Sequence, residues 1–167
     1  MAKLEAEIAR LIREYQAKTG TLLTIGTVES ATGGRIADRI TNVPGSSDYF
    51  KGSVVAYSNE VKIALLRVKR KTIENYGAVS EQTALEMARG GRKLLNVDIC
   101  VSDTGIAGPS GATPEKPPGL FYIGLAAEDE SFSQKYIFAG NREENKRDAA
   151  EAALNMLKQY LLQVISK

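Results

Sequence analysis

The chain has 167 residues, carries 22 Lys and Arg against 20 Asp and Glu for a net charge of +2, and contains no histidine. That length suits one domain with a sizeable core, its 43% apolar and 25% charged residues are those of an ordinary globular protein, and so small a net charge leaves no nucleic-acid footprint. A Ser-His-Asp triad is excluded outright, and a zinc or non-haem iron site is disfavoured, because these need imidazole or a cysteine cluster.

In chain order, Leu4, Ile8, Leu11, Ile12 and Tyr15 recur at three- and four-residue spacing, which predicts a helix over Glu5 to Ala17 with one apolar stripe. Thr21 to Val28 reads as a buried strand, and Thr32 to Thr41 as a helix with Ile36 and Ile40 inward. Asn42 to Ser47 is a loop by its turn residues, and Phe50 to Tyr57 is a second strand. Ser58 or Asn59 caps a helix to about Leu66, and the basic run Arg67 to Lys71 reads as its solvated end. Ser80 caps the next helix, read through Ala88. Asp98 to Asp103 is a third strand, followed by Thr104 to Pro109 and a Gly/Pro-rich loop to about Gly119. Leu120 to Ala126 and the segment around Phe132, Lys135 and Ile137 form an antiparallel hairpin across Glu128 to Ser131. A long helix runs from Arg142 to about Ile165. Helices alternating with strands, then a hairpin, predict an α/β fold: one domain over 1–167, with a mixed sheet of about five strands covered by helices on both faces.

Cys100 lies in the apolar run Val97 to Val101 and reads as a buried structural thiol, which rules out an intramolecular disulfide. No stretch approaches membrane-spanning length and the N-terminus has no signal-peptide pattern, so the expectation is a reduced, cytoplasmic protein with neither membrane nor nucleic-acid partner.

Ligands in open α/β sheets bind beyond the carboxyl ends of the strands. Three strand ends carry small and polar residues: Glu29-Ser30-Ala31-Thr32-Gly33-Gly34, Tyr57-Ser58-Asn59-Glu60-Val61-Lys62, and Asp103-Thr104-Gly105-Ile106-Ala107-Gly108-Pro109. Parallel strands bring these turns to one edge. Ser30 is the candidate nucleophile, and with no histidine its base is lysine or a carboxylate; Lys62, in the first turn of a helix, is the best placed lysine. A free lysine titrates near 10.4, so working neutral at pH 7 needs a shift of roughly 3 units, about 4–5 kcal/mol. A helix N-terminus supplies only ~0.3–2 kcal/mol of that, which leaves most to desolvation beneath a bound substrate. The plainer alternatives are an exposed helix lysine and a serine that only caps a helix. Gly33 and Gly34 admit a close ligand approach, with N–H groups from Thr32 to Gly34 available to phosphate or an oxyanion; the plainer alternative is a tight turn that needs glycine dihedrals. Asn59, Gly105, Ala107 and Gly108 at the neighbouring strand ends are assigned to substrate binding, and Arg142 to a phosphate or carboxylate clamp. A weaker arrangement places Glu29, Glu60, Asp103 and Glu115 around a divalent metal.

Together these segments resemble the CinA C-terminal domain family, whose characterised members are nicotinamide mononucleotide deamidases. The matches are Val28-Glu29-Ser30-Ala31-Thr32-Gly33-Gly34, Val43-Pro44-Gly45-Ser46-Ser47-Asp48-Tyr49-Phe50, Val54-Val55-Ala56-Tyr57-Ser58-Asn59-Glu60-Val61-Lys62, Tyr76-Gly77-Ala78-Val79-Ser80-Glu81, Thr104-Gly105-Ile106-Ala107-Gly108-Pro109 and Thr113-Pro114-Glu115-Lys116-Pro117, in order from about Leu22 to Arg142. The resemblance implies a three-layer α/β/α sandwich with a mixed, mostly parallel sheet. It also implies hydrolysis of the nicotinamide carboxamide, giving nicotinic acid mononucleotide and ammonia, with no cofactor and no metal. The nucleophile falls on Ser30, the general base on Lys62, a supporting tyrosine on Tyr57, a substrate-contacting threonine on Thr104 and a phosphate-contacting arginine on Arg142. Two positions depart from the family: Ala31, where many members carry cysteine, and Asp103, where an apolar residue is common and where a charge alters the pocket or faces solvent. Many members carry a further N-terminal domain, and this chain is expected to be the stand-alone form, a homodimer. The competing functions are a non-enzymatic nucleotide-binding module, in which Ser30 only hydrogen-bonds phosphate, and a metal-dependent phosphohydrolase.

Overall fold

The computed structural model describes residues 2–167. Its elements are α1 (Leu4–Thr19), β1 (Ile25–Glu29), α2 (Arg35–Thr41), β2 (Phe50–Val55), α3 (Asn59–Leu66), α4 (Arg70–Tyr76), α5 (Glu81–Leu95), β3 (Ile99–Gly105), β4 (Leu120–Ala126), β5 (Ser131–Ile137) and α6 (Arg142–Ile165). A 3₁₀ turn at Ser46–Asp48 leads into β2. The sheet order is β2-β1-β3-β4-β5, with β1 parallel to both β2 and β3 and with β4 antiparallel to β3 and β5. Four of the described strands therefore point one way, and β4 runs against them.

Alternation along the strands builds two layers of core. Ile25 of β1, Ile99 and Val101 of β3, and Phe121, Ile123 and Leu125 of β4 pack with α1, α2 and α6. The residues between them, Val28 and Cys100, point to the other face and join Leu66, Val68, Met87 and Val97 under α3 and α5. This is the α/β/α sandwich. Burial raises the Cys100 thiol pKa, in keeping with an inert structural cysteine. No helix among the described residues is long and apolar enough to cross a membrane.

Several boundaries differ from the sequence reading. The helix expected from Thr32 begins at Arg35, because Thr32 to Gly34 form a turn in which Gly33 and Gly34 adopt φ of 65° and 104°. The second strand stops at Val55, two residues before Tyr57, and the third runs on through Thr104 and Gly105. The basic run at Lys69-Arg70-Lys71 opens a helix that the sequence reading lacks, α4. Its cap comes from α5, where Glu86 accepts the Lys69 N–H at 2.8 Å and the Thr72 hydroxyl at 2.6 Å. Past Ala88, α5 continues through Gly90-Gly91 to Leu95. Those glycines are sites of close approach: a Cβ on Gly90 would lie 1.6 Å from the Leu66 carbonyl oxygen, and one on Gly91 2.5 Å from Val28 Cγ1.

Candidate active site

The C-terminal ends of β1, β2 and β3 share one sheet edge. The chain leaves β1 toward β2 through α2 on one face and returns to β3 through α5 on the other, so a crevice opens between β1 and β3. A cavity of about 320 Å³ occupies it, with Ser30, Tyr57, Asn59, Lys62, Thr104 and Arg142 in its wall.

Lys62 belongs to the first turn of α3, which Ser58 caps by accepting the Val61 N–H at 3.2 Å. Leu66, four residues on, is buried on the same helix face, and this stripe carries the Lys62 stem inward until the side chain is only 2% exposed. The exposed-lysine alternative is thereby overturned. Its Nζ lies 2.8 Å from Ser30 Oγ and donates to the Tyr57 carbonyl at 2.9 Å. Burial lowers the Lys62 pKa from 10.5 to about 8, against an opposing pull from the Asp103 charge. Desolvation is the larger effect, and here the fold's own packing supplies it, where the sequence suggested a bound substrate. Ser30 is 7% exposed and does not cap α2, whose N-cap position is Gly34. Its Oγ instead accepts from the Lys62 amine, so the hydroxyl and the amine are in direct contact.

Tyr57 reaches Lys62 through its main chain, while the residue as a whole is 61% exposed. Its phenol accepts from Arg142 Nη2 at 3.2 Å, and Arg142 Nη1 donates to the Gly108 carbonyl at 2.9 Å. Arg142 thus stands at the rim, at the first position of α6, tying Tyr57 to the loop after β3. Thr104 donates its hydroxyl to the Ala78 carbonyl at 2.7 Å, which places Ala78 and Val79 in the cavity wall, along with Ser110 and Gly111. Lys116 pins the same region by donating to the carbonyls of Tyr76 and Val79, both at 2.7 Å. Asn59, Gly105 and Ala107 line the cavity; Gly108 contributes only the carbonyl held by Arg142.

The turn after Ser30 is built differently from the sequence expectation. Thr32, Gly33 and Gly34 are absent from the cavity wall, and their amides are engaged: Thr32 N–H with Asp103 Oδ2 at 3.2 Å, Gly33 N–H with the Ser30 carbonyl at 3.1 Å, and Gly34 N–H with Glu29 Oε1 at 3.0 Å. They are not free to hold an oxyanion. The two glycines serve the turn's dihedrals. Among the described residues, the Ala31 N–H alone in this turn has no hydrogen-bond partner, and Ala31 lines the cavity.

Two buried carboxylates carry the turn, one each from β1 and β3. Glu29 accepts the N–H groups of Gly34, Ile36 and Ala37 at 2.9–3.0 Å and the Thr27 hydroxyl, and the Thr32 hydroxyl, whose single hydrogen lies between Glu29 and Asp103, is 2.7 Å away. It caps α2 from inside the protein. Asp103 does not face solvent: it is fully buried and accepts from Ser30 N–H, Thr32 N–H and the Thr32 hydroxyl. Burial, with Glu29 nearby, raises its pKa from 3.8 to about 6. The four-acid metal arrangement is not assembled: Glu60 and Glu115 are exposed, and no three His, Cys, Asp or Glu among the described residues are grouped to hold a metal. Glu29→Gln sets an amide NH₂ against N–H donors that have no other acceptor. One or more orphaned donors destabilise by about 2–3 kcal/mol, lowering Tm by roughly 5–10 °C in thermal unfolding.

Comparison with known proteins agrees with this architecture. The CinA C-terminal domain model matches residues 2–161. A CinA-like protein of Sulfurihydrogenibium sp. is 46% identical over 160 residues, 96% of this chain and 38% of that protein. A CinA-like protein of Thermotoga neapolitana is 45% identical over 95% of this chain and 37% of its own length, so the chain spans under two-fifths of these curated relatives. The crystal structure of a competence/damage-inducible protein from Agrobacterium tumefaciens superposes with a TM-score of 0.86 at 32% identity, covering 100% of this chain and 98% of that one. On the family match across nearly its whole length and on this shared fold, the chain belongs to the CinA C-terminal domain family.

Proposed function

We propose that this protein is a serine–lysine amidase that hydrolyses the carboxamide of nicotinamide mononucleotide to nicotinic acid mononucleotide and ammonia. The observation that carries the reading is the Lys62 Nζ–Ser30 Oγ contact of 2.8 Å in the wall of a cavity, with the lysine buried and its pKa lowered to about 8. Neutral Lys62 takes the Ser30 proton as Ser30 Oγ attacks the amide carbon. The Tyr57 carbonyl holds one amine hydrogen and so directs the lone pair at the hydroxyl. The tetrahedral intermediate collapses as the ammonium form of Lys62 returns its proton to the leaving nitrogen. Water, deprotonated by the same amine, then frees the carboxylate and regenerates Ser30. Thr104 and Asn59 line the cavity and are assigned to the ring and ribose, and Arg142, also in its wall, to the phosphate. Activation of Ser30 comes from the amine, and the reaction as proposed draws on no cofactor or metal. With this reading go a homodimer and a cytoplasmic setting, in keeping with the single buried thiol.

The base must be neutral, so kcat/KM is expected to rise with pH through an apparent pKa near 8 and then level, unaffected by chelator. At pH 7 roughly a tenth of the enzyme is competent. The paired test is Ser30→Ala with the nucleotide: binding retained with no ammonia release supports the amidase, whereas a wild type that binds without turnover supports a nucleotide-binding module. A pH-independent rate, or full activity in Ser30→Ala, contradicts the dyad.

A further inference from the structure

Asp103 supports the turn, and its contacts are specific to the groups beside Ser30. Its side chain leaves the central strand β3 beside β1 and is fully buried. Oδ1 accepts the Ser30 N–H at 2.9 Å and Oδ2 accepts the Thr32 N–H at 3.2 Å. These are the amides on either side of Ala31. A carboxylate satisfies both because both of its oxygens accept; an amide or an apolar side chain leaves at least one of them orphaned. We propose that Asp103 is a positioning residue of this site: it fixes the Ser30 turn against β3, leaves the Ala31 N–H as the donor for a developing oxyanion, and sets a negative charge opposite the Lys62 amine. The proposal rests on the reading of Ser30 and Lys62 as nucleophile and base.

The charged groups around Asp103 are few. Glu29 faces it from β1 across the Thr32 hydroxyl, which lies 2.7 Å from Glu29 and 2.5 Å from Asp103 and has one hydrogen to give. Lys62 of α3 reaches Ser30, whose N–H Asp103 holds, and feels the Asp103 charge from there. Tyr57 and Arg142 stand across the cavity, where Arg142 is engaged by Tyr57 and Gly108. Asp103 titrates near 6 and is ionised where Lys62 loses its proton, near 8, so its charge favours the ammonium form and holds the Lys62 pKa up. Asp103 therefore moves upward the pH at which the dyad becomes active, against the larger effect of burial, and trades basicity of Lys62 against availability of its neutral form.

The test is an NMR titration of the Lys62 Cε resonance, with kcat and KM against pH, in the wild type, Asp103→Asn and Asp103→Val. The wild-type midpoint is expected near 8. In the folded variants it is expected to fall by about one pH unit, the rising limb of the rate profile to move with it, and kcat to drop at least about tenfold with KM changed less than about threefold. A purely structural role moves Tm without moving that midpoint. An unchanged midpoint with unchanged kcat, or a midpoint that rises, overturns the proposal. Failure of both variants to fold also overturns it, since Asp103 is then a requirement of the fold and not of the site. Should the wild type release no ammonia from the nucleotide, the amidase reading fails, and the Lys62 titration still decides whether Asp103 governs the amine.

Discussion

Lys62→Met is expected to abolish the proposed deamidation and leave the fold at least as stable as the wild type. Removing the base is expected to lower kcat at least about 10³-fold, within the range for a positioned proton acceptor. Stability moves the other way because the amine is 2% exposed and its pKa is lowered from 10.5 to about 8. That shift corresponds to about 3 kcal/mol against folding while the group is charged in both states. Methionine fills the same channel over Leu66 without a charge, and the lost hydrogen bonds to Tyr57 and Ser30 return about 1–2 kcal/mol. The net expectation is a Tm raised by a few degrees at pH 7. The sign follows from linkage: the folded pKa is the lower one, so the unfolded chain binds more protons between pH 8 and 10.5, and wild-type stability rises with pH across that window. The advantage of Lys62→Met must therefore shrink as pH rises from 8 to 10. Thermal unfolding at several pH values checks it, and a variant less stable than wild type at pH 7 contradicts it.

Gly90→Ala is expected to damage the site from a distance. Helix propensity alone predicts a gain of about 1 kcal/mol for alanine inside α5. Packing predicts the opposite, because the new Cβ would stand 1.6 Å from the Leu66 carbonyl oxygen and 2.6 Å from its carbonyl carbon. That obstacle is main chain at the end of α3, the helix that carries Lys62, and it cannot turn aside as a side chain does. Displacing α3 costs about 3 kcal/mol or more, so packing wins, and Tm is expected to fall by roughly 10 °C. Because Lys62 moves with α3, kcat is expected to fall as well. An increase in Tm would show that propensity decides here and that α3 and α5 are not packed as described.

Much of this architecture was legible in the chain because it is written locally. The apolar stripe of α1, the Ser58 and Ser80 caps and the polar turn at Glu128 to Ser131 each set an element through neighbours a few residues away. What escaped reading depends on partners distant in sequence. The cap of α4 is Glu86, seventeen residues from Lys69, and nothing near Lys69-Arg70-Lys71 announces it. Gly90-Gly91 look like helix breakers until the Leu66 carbonyl and Val28 appear against them.

The site divides in the same way. Ser30 and Lys62 were found from their strand-end motifs and the absence of histidine, and α3 does bring them together. The oxyanion expectation at Thr32 to Gly34 failed because a sequence does not show which amides are already taken, and here Glu29 and Asp103 take them across the sheet. The signal that could have found this is an acid on each of two apolar strands, Glu29 at the end of one and Asp103 inside the other, facing the same side of neighbouring parallel strands. Tyr57 shows the converse, since its exposure suggests a surface residue while its carbonyl orients the amine.

The most direct test of the dyad is to incubate wild type and Ser30→Ala with nicotinamide mononucleotide, with and without chelator, and to quantify ammonia and nicotinic acid mononucleotide by chromatography. Equimolar appearance of both products with the wild type, unchanged by chelator and absent with Ser30→Ala, is the result predicted. A folded wild type that yields neither product, or a Ser30→Ala variant that yields both at the wild-type rate, would contradict the assignment.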